Sequence, residues 1–500
     1  MLIGFEIHQQ LETHKLFCKC PSLLKEEKPE ITVERRLRPT QSELGEIDRA
    51  ALEEFLKGKS FVYEVYLDTI CLVELDEEPP HEPNEEAIDI CTEIALMLKC
   101  NIVDEVHFMR KLVIDGSNTS GFQRTAIVAL DGYLETDRGR VGIPTICLEE
   151  EAARKIAEEG KKTIYRLDRL GIPLIEITTA PDITTPEQAR EVALKIGEIL
   201  RATGKVKRGI GTIRQDINVS IEGGARVEIK GVQELNQIPK IIENEVERQK
   251  NLIDAIGGVP EETRAANPDA TTSYMRPLPG AARMYPETDI PPIVITPERV
   301  NRIRAKLPEL YEEKKRRYIE SHKLSEEMAS QLLASSATFN FGIGKKPLWK
   351  FYDEIVKEIK ITPSIAANTL LGTLKDLKRE GYNVESISDE KLKEVFRLVA
   401  ENRIAKEAIP EVLTAIAENP KQKVEEALKL VGTKSFEKEE IAEIVRNVLK
   451  AREEFVREKG LNAAKPLMGA VMKEMRGKVD GKTVNEILQK ELKKFLKGKS

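Results

Sequence analysis

The chain of 500 residues is 40% hydrophobic and 33% charged, and its net charge of −6 excludes a protein that is basic throughout. This length and composition allow about two to four ordinary globular domains. Because the sequence shows neither an apolar run of about 18 residues, nor a secretory leader, nor a disulfide framework among its six cysteines, we expect a cytoplasmic protein with no membrane span.

Strands and helices are predicted to alternate over the first three-fifths of the chain. The predicted strands span residues 3–8, 61–65, 69–74, 111–115, 126–130, 141–148, 173–178, 212–221 and 226–229. Asn84 and Thr185 have side chains typical of helix N-caps, and each precedes an amphipathic helix. Hairpins are too frequent for a doubly wound sheet, so the pattern indicates an α+β fold.

A proline-rich segment at residues 274–292 precedes a remainder that is almost entirely helical. Proline fixes φ and cannot donate to a sheet ladder, so we predict a rigid loop there. In the helical part, Ser388 is predicted to cap a helix. Residues 451–500 contain 13 Lys+Arg and 7 Asp+Glu, a local charge of +6. This excess indicates either a nucleic-acid contact or a solvated Lys/Glu helix surface.

Three consecutive glutamates, Glu149, Glu150 and Glu151, follow the apolar strand predicted at 141–148. On an extended chain Glu149 and Glu151 point to the same face. Carboxylates buried that close together repel each other, and a hard cation such as Mg²⁺ relieves the repulsion and offers open positions to phosphates. The alternative is a solvated acidic turn before a helix that begins near residue 152.

Two short motifs have the chemistry of metal ligands. Glu6 and His8 lie two positions apart on a strand and therefore share a face, although a lone histidine is more often structural. Cys18 and Cys20 form half of a zinc site, but zinc needs four ligands, commonly from a second C-x-x-C pair that the sequence lacks. Cys71 could contribute, yet we expect zinc not to be bound.

Charged residues also alternate along a strand predicted near residue 214. Arg214, Asp216 and Asn218 share one face, and Glu228 and Lys230 repeat the pattern on the next strand. Such a face lines either a polar cleft or the solvated outside of a sheet.

A small-residue loop at residues 115–121 follows another predicted strand and contains Ser117 and Ser120. Its backbone N–H groups could approach an anion, as in a phosphate nest. A plain turn explains the same composition, and the loop is not a Walker A motif.

Longer motifs extend over nearly the whole chain. They are G-F-E-I-H-Q-Q-L-E-T-H-K-L-F-C-K-C-P at 4–21, R-K-L-V-I-D-G-S-N-T-S-G-F-Q at 110–123, L-E-E-E-A at 148–152, Y-R-L-D-R-L-G-I-P-L-I-E-I at 165–177, R-M-Y-P-E-T-D-I-P-P at 283–292 and K-P-L-M-G-A-V-M-K at 465–473. Together they resemble the B/E family of tRNA-dependent amidotransferase subunits. H-Q-Q-L-E-T and I-D-G-S-N-T-S-G-F-Q are similar to the archaeal E type of the family rather than to its bacterial and organellar B type.

The resemblance implies a cradle-like catalytic domain at residues 1–295, a helical domain at 296–385 and a helical tail domain at 386–500 that holds tRNA. It also implies ATP- and Mg²⁺-dependent phosphorylation of Glu-tRNA(Gln), followed by amidation. Ammonia would come from an asparaginase-like partner of the D type in a heterodimer or heterotetramer.

The resemblance also implies site residues. The catalytic set is Glu6, His8, Glu149, Glu150, Arg214 and Lys230; the nucleotide-binding set is Ser117, Ser120, Gln123 and Asp216; and the metal-binding set is Glu6, His8, Glu149, Glu150 and Glu228. The individual roles of the arginine and lysine residues stay open.

Three departures from the family qualify these expectations. Members of the E type usually carry a large insert, for which residues 247–263 leave no space, so the chain is a natural short form or a trimmed one and tRNA discrimination is in doubt. Glu151 stands where the family usually has Asp. The missing C-x-x-C departs from zinc-bearing relatives of the B type. A B-type protein with amidase partners and a non-catalytic tRNA-binding scaffold remain as alternatives.

Overall fold

The structure, a computed structural model, describes residues 1–39, 45, 47, 49–278, 284–334, 347–431, 438–474 and 481–497. The chain divides into two compact units, Met1–Leu310 and Tyr311–Ser500, called here the first and second units. Among the described helices we find none with the length and apolar composition that crossing a membrane requires.

The first unit mixes strands and helices. Its strands are β1 (Leu2–Gln10), β2 (Ile31–Arg35), β3 (Ser60–Val65), β4 (Asn101–Ile102), β5 (Glu105–Val106), β6 (Phe108–Leu112), β7 (Phe122–Thr136), β8 (Gly139–Glu150), β9 (Arg154–Glu159), β10 (Lys162–Arg166), β11 (Pro173–Thr178), β12 (Ile213–Ser220), β13 (Val227–Lys230), β14 (Glu262–Ala266), β15 (Thr272–Pro277), β16 (Met284–Pro286) and β17 (Ile293–Val294). Its helices are α1 (Arg49–Leu56), α2 (Glu85–Met97), α3 (Pro186–Ala202), α4 (Ile238–Ile256) and α5 (Pro297–Arg304).

One large sheet dominates this unit. Within the described residues it has eleven strands in the order β15–β14–β13–β12–β1–β11–β8–β7–β6–β16, with β4 beside β7. Neighbouring strands from β12 to β6 are antiparallel. The register of the central strand β1 sets Glu6 opposite Asp216 on β12 and His8 opposite Glu176 on β11. Strand pairing therefore brings polar residues from distant parts of the sequence together.

The two faces of the large sheet differ in polarity. Ile3, Phe5 and Ile7 of β1 are buried in the main hydrophobic core, to which α2, α3 and α4 also contribute. Glu6 and His8, which alternate with them, point to the other face because successive side chains of a strand alternate. Packing of one face therefore leaves a charged, partly open face on the other.

A smaller sheet, in the order β2–β3–β10–β9, has its own core around Tyr63 and Tyr165. Two stretches without helices or extended strands adjoin it, here called the first irregular segment (residues 11–30) and the second irregular segment (residues 66–84). The strand predicted at 69–74 is wrong, because the second irregular segment folds into consecutive turns closed by hydrogen bonds such as that from the Glu77 N–H to the Leu72 carbonyl (2.9 Å).

The second unit is helical throughout its described residues. Its helices are α6 (Tyr311–Glu320), α7 (Glu326–Ala334), α8 (Leu348–Ile359), α9 (Pro363–Asn368), α10 (Leu374–Arg379), α11 (Asp389–Ala400), α12 (Ile409–Glu418), α13 (Val424–Leu430), α14 (Lys438–Ala451), α15 (Glu453–Lys459), α16 (Ala464–Glu474) and α17 (Gly481–Lys497). Two separate hydrophobic cores hold them together, one among residues 318–428 and one among residues 441–492.

The α+β class is confirmed by this arrangement. The predicted N-caps Asn84, Thr185 and Ser388 each accept a hydrogen bond from the first turn of their helix. The domain boundaries expected at residues 295 and 385 stay predictions.

Asn84 provides a test of the fold. Its Oδ1 accepts from Ala87 N (3.1 Å), and its Nδ2 donates to the His14 carbonyl (2.9 Å), so it ties α2 to the first irregular segment. We expect Asn84→Ala to lower the free energy of unfolding of the first unit by about 1–3 kcal/mol, because a cap and a buried hydrogen bond are lost together. Chemical denaturation followed by circular dichroism measures this, with Asn301→Ala at an exposed position as control. Equal losses in the two variants would contradict the prediction.

Candidate active site

The charged face of the large sheet forms the floor of a cleft of about 570 Å³. Its polar lining includes Glu6, His8, Lys111, Gln123, Glu149, Glu151, Arg214, Asp216, Asn218, Arg226, Glu228, Lys230 and Arg276. The cleft therefore presents carboxylates, an imidazole and cationic side chains to whatever it binds.

An acidic cluster lies around His8 at the centre of the sheet. His8 Nε2 is 3.4 Å from a carboxylate oxygen of Glu6 and 3.3 Å from one of Glu176. A third carboxylate, that of Glu149, lies 3.9 Å from the same nitrogen. Lys111 Nζ donates to Glu149 (3.0 Å) and lies 3.7 Å from Glu176. Three mostly buried carboxylates therefore share one imidazole and one ammonium group.

The cluster has the composition of a hard-cation site. Two overlapping groups have ligand atoms within 4.8 Å of one another, namely Glu6–His8–Asp216 and His8–Glu149–Glu176. Burial and the charge of Glu176 raise the pKa of Glu6. Burial lowers the pKa of His8, but its hydrogen bond to Glu176 and the surrounding carboxylates outweigh burial and raise it above its ordinary value. An oxygen-rich donor set with this excess of negative charge fits Mg²⁺.

Beside this cluster, Lys230 lies between two further carboxylates. Its Nζ donates to Asp216 (2.6 Å) and to Glu228 (2.8 Å), and Thr263 donates to the other oxygen of Glu228 (2.9 Å). Burial lowers the pKa of Lys230, but the charges of Asp216 and Glu228 outweigh it and raise the pKa. Glu228 therefore lines the same cleft but is held by a lysine and a threonine, outside the compact ligand groups around His8, and its expected role as a metal ligand stays a prediction.

The three consecutive glutamates are divided between the two faces of the sheet. Glu149 and Glu151 line the cleft, as their shared face predicts. Glu150 points the opposite way, accepts from Arg124 N (2.9 Å) and lines a separate cavity of about 10 Å³ with Asn118. The structure therefore does not bring Glu150 together with Glu149 around one cation site, because adjacent residues of an extended strand point to opposite faces. The cavity has room for about one water-sized molecule.

Burial also decides between the two interpretations of these glutamates. All three are at most 6% exposed, and β9 follows where the alternative placed a helix. The solvated acidic turn is therefore wrong.

Arg214 neutralises Glu151 through a bidentate ion pair with two contacts of 2.9 Å. Gln10 donates to the same carboxylate (3.1 Å). Burial raises the pKa of Glu151, but the charges of Arg214 and Arg169 outweigh it and hold the pKa below its ordinary value. This pair keeps Glu151 ionised at the edge of the cleft.

Of the expected nucleotide-binding residues, Gln123 lines the cleft whereas Ser117 and Ser120 do not. Gln123 lines the cleft and donates to Glu149 (3.2 Å) and to the Glu150 carbonyl (2.8 Å), so it orients the end of β8. Ser117 donates to the Asp115 carboxylate (2.6 Å) and Ser120 to the Phe122 carbonyl (2.9 Å), and the described residues that line the cleft include neither serine. The structure places both hydroxyls in local loop contacts.

Gly116 in this loop has a structural requirement of its own. Its φ is +90°, and a Cβ there would lie 2.2 Å from the Phe61 ring. Packing and backbone conformation thus explain why residue 116 is glycine. This explanation favours a plain turn at residues 115–121 over an anion-binding phosphate nest.

Sequence reasoning missed Glu176 and Lys111 as members of the site. Both lie within the longer motifs, but only the pairing of β11 with β1 reveals that Glu176 is opposite His8. One feature of the sequence could have indicated Glu176: it is the acidic residue that alternates with the apolar Ile175 and Ile177 of β11, both of which are buried. Arg283 of the motif at 283–292 lies outside the described residues.

Comparisons with known proteins cover almost the whole chain. Residues 1–301 match a family described as the GatB/GatE catalytic domain, and residues 350–492 match one described as the GatB domain. The E subunit of the glutamyl-tRNA(Gln) amidotransferase of Methanocaldococcus jannaschii is 43% identical over 99% of this chain and 98% of its own length. The proteins of the same name from Thermococcus gammatolerans (41% identical, 99% and 98%) and Methanococcus maripaludis (40% identical, 98% and 98%) are similar over comparable lengths.

The alignment with the M. jannaschii protein extends over 630 positions, more than the 500 residues of this chain. That relative therefore contains residues that have no counterpart here.

The Arg214–Glu151 pair predicts a pH-dependent change in stability. Because the folded-state pKa of Glu151 is lowered, the pair stabilises the fold above the ordinary glutamate pKa, and this contribution is lost as pH falls through the folded pKa. We expect Arg214→Met to lower the free energy of unfolding of the first unit by about 1–3 kcal/mol at pH 7 and by progressively less below about pH 4.

Denaturant titrations at several pH values measure this difference. The double variant Arg214→Met/Glu151→Gln should recover most of the loss, because it removes the buried unpaired charge. A loss that is independent of pH and is not recovered by Glu151→Gln would show that the ion pair is not its cause.

Proposed function

The chain belongs to the GatB/GatE family, and from this premise we propose that it converts Glu-tRNA(Gln) to Gln-tRNA(Gln) in an ATP-dependent reaction. The observation that carries the proposal is the cleft in which the carboxylates around His8 lie beside Lys111 and Lys230. The relatives named for glutamyl-tRNA(Gln) amidation support the choice of substrate.

The chemistry requires two transfers. A side-chain carboxylate is a poor electrophile, so the γ-phosphoryl group of ATP is transferred to a glutamyl carboxylate oxygen, which releases ADP and forms an acyl phosphate. The nitrogen of ammonia then attacks the acyl carbon, the bond to the phosphate oxygen breaks, and loss of a proton leaves the amide. Phosphoryl transfer depends mainly on positioning and charge neutralisation, and the cleft has side chains of both signs for this.

Glu6, His8 and Glu149, joined by Glu176, are the residues that would hold Mg²⁺. When bound, the cation would neutralise phosphate charge in the cleft. Lys111 orients Glu149, while Lys230 is held by Asp216 and Glu228 at a position where its charge faces the cleft. The exposed guanidinium groups of Arg226 and Arg276 at the cleft would contact phosphates or the RNA backbone.

Glu150 takes a different role in this proposal. Burial raises the pKa of Glu150, which favours the neutral acid, and the small cavity beside it matches one ammonia molecule in size. Because Glu149 and Glu150 are adjacent, this cavity and the cleft lie on opposite sides of the same strand. We place the last step of ammonia delivery there, with an asparaginase-like partner protein as the source and a cytoplasmic heteromer as the setting.

The basic carboxyl-terminal residues are proposed to bind the tRNA backbone. In the first unit, α4 ends at Ile256 and is capped by Gly257 (φ +81°), and residues 257–261 lead directly into β14, so this connection is short. Discrimination between tRNAs would then depend on the second unit and the cleft.

Two neighbouring substitutions separate the phosphorylation step from amidation. Glu149→Gln should lower tRNA-stimulated ATP hydrolysis and amidation by at least about 100-fold, because a ligand of the cation is lost. Glu150→Gln should lower amidation while Glu-tRNA(Gln)-stimulated ATP hydrolysis continues. Both rates are measured with and without Glu-tRNA(Gln) in the presence of Mg²⁺ and the ammonia-producing partner.

Glu158→Gln, an exposed change on β9, is the control for these substitutions, and thermal unfolding verifies that each variant is folded. Full ATP hydrolysis by Glu149→Gln would refute the proposed site. Equal loss of both rates in Glu150→Gln would refute the division between the two faces.

Deletion of residues 432–500 tests the tRNA contact without cutting a hydrophobic core. The deletion removes the core among residues 441–492 and leaves the core among residues 318–428 complete. We expect the Kd for tRNA to rise at least about 10-fold, and its salt dependence to become shallower because fewer phosphates are neutralised. Filter binding at several salt concentrations measures both, and basal nucleotide binding serves as the internal control. An unchanged Kd would contradict the prediction.

A further inference from the structure

A second pocket, of about 560 Å³, adjoins the cleft on the large sheet. Its lining shares Glu6, Lys111 and Glu149 with the cleft, so both contact the acidic cluster around His8. Beyond these shared residues the lining of the second pocket is mostly apolar. Met109, Ile127, Leu130, Cys147 and Met284 contribute to it and are called here the apolar shelf.

A bulge in β7 brings two members of the shelf together. The register of β7 against β8 shifts between Ile127 and Ala129, which inserts an extra residue into β7. Val128 and Ala129 are both buried in the main core, whereas Ile127 and Leu130 both line the second pocket. In a regular strand, residues three positions apart point to opposite faces. The bulge therefore enlarges the apolar area next to the charged cleft.

The shelf is exposed although it is apolar. Ile127, Leu130 and Met284 are each at least 36% exposed. Exposed apolar side chains that share a pocket with a few polar groups are typical of a ligand site. A flat ring with polar edges, such as a nucleobase, would bury apolar surface on such a shelf and keep its edges in contact with water.

The distance from the shelf to the acidic cluster restricts the ligand. Cys147 pairs with Ile127 and lies two residues before Glu149, about 7 Å along β8. A base on the shelf therefore needs a spacer of this length if its reactive group is to meet a phosphate at the cluster. The terminal adenosine of Glu-tRNA(Gln) has such a spacer, because the ribose and the glutamyl chain separate its base from the side-chain carboxylate.

The other substrate fits the other side of the cluster. The cleft contains the cationic side chains of Arg226, Lys230 and Arg276, which suit a triphosphate, and the lining of the second pocket includes none of the three. The contrast in charge between the two pockets therefore separates the triphosphate from the aminoacylated end of the RNA.

We propose that the apolar shelf binds the terminal adenosine of the aminoacylated RNA and directs its glutamyl carboxylate to the acidic cluster. The assignment rests on the proposed function, and it places ATP and the aminoacylated adenosine in the two pockets that share Glu6, Lys111 and Glu149. Glu105 and His107, which also line the second pocket and lie 3.1 Å apart, would contact the ribose hydroxyl group.

A small ligand tests the shelf without the rest of the RNA. The probe is glutamyl-adenosine with an amide in place of the ester, and the corresponding uridine compound is its matched control. The adenosine compound should inhibit amidation of Glu-tRNA(Gln) by the full chain and its ammonia-producing partner with a Ki at least about 10-fold lower than that of the uridine compound, because the larger ring buries more apolar surface.

Substitutions on the shelf identify where the adenosine compound binds. Ile127→Asn should raise its Ki about 10-fold, while the KM for ATP should change less than about 2-fold. Ile156→Asn on β9 is the matched control, since both isoleucines are 43% exposed and Ile156 is outside the linings of both pockets. Leu130→Asn should have the same effect and replaces Ile127→Asn if thermal unfolding shows that Ile127→Asn is not folded.

Each contrary result identifies another occupant. A raised KM for ATP with an unchanged Ki in Ile127→Asn would overturn the proposal and assign the shelf to the adenine of ATP. An unchanged Ki with loss of the partner protein in size-exclusion chromatography would overturn it in favour of a protein contact. Failure of the proposed function is distinguishable, because a wild-type chain without amidation can still be titrated calorimetrically with the adenosine compound. Binding that Ile127→Asn weakens would then support the shelf, and absence of binding would overturn it.

Discussion

Mutual repulsion among carboxylates at His8 is the constraint on which the arrangement of the first unit depends. Glu6, Glu149 and Glu176 each have a carboxylate oxygen within 4 Å of His8 Nε2, and like charges gathered around one atom disfavour one another. Three different strands carry them, so the cluster cannot relax without disturbing the sheet. His8 and Lys111 offset part of this repulsion, and hydrophobic burial on the other face, where Ile3 and Phe5 pack against helices, also stabilises the sheet.

The two faces of one strand separate two chemical environments. Glu149 enters a charged cleft with lysine and amide partners, whereas Glu150 enters a small enclosed cavity beside Arg124. The two side chains are only one residue apart, about 3.3 Å along the strand. In the proposed reaction this proximity would place the last step of ammonia delivery one residue away from Glu149, on the opposite side of the same strand.

The loop after β6 and the two irregular segments are stabilised by different side chains. The loop after β6 depends on Gly116 and on hydroxyl groups bonded to neighbouring residues. The two irregular segments converge instead on three thiols and Glu74, and Asn84 fastens the end of the second to the first. Polar side chains replace the missing ladder hydrogen bonds in each case, as the burial of backbone groups requires.

The sequence by itself determined the alternation along each strand and the start of the capped helices. These patterns are local, so Glu6 and His8, and likewise Arg214 and Asp216, could be assigned to common faces, and the α+β class followed. The tertiary structure alone decided which strands are neighbours and in what register. That choice placed Glu176 opposite His8 and joined Cys18 to Glu74, whereas alternation within β8 by itself turns Glu150 away from the partners of Glu149. The reason is physical: periodicity fixes the face of a residue within its own strand, whereas its partners across the sheet depend on packing between segments far apart in the chain.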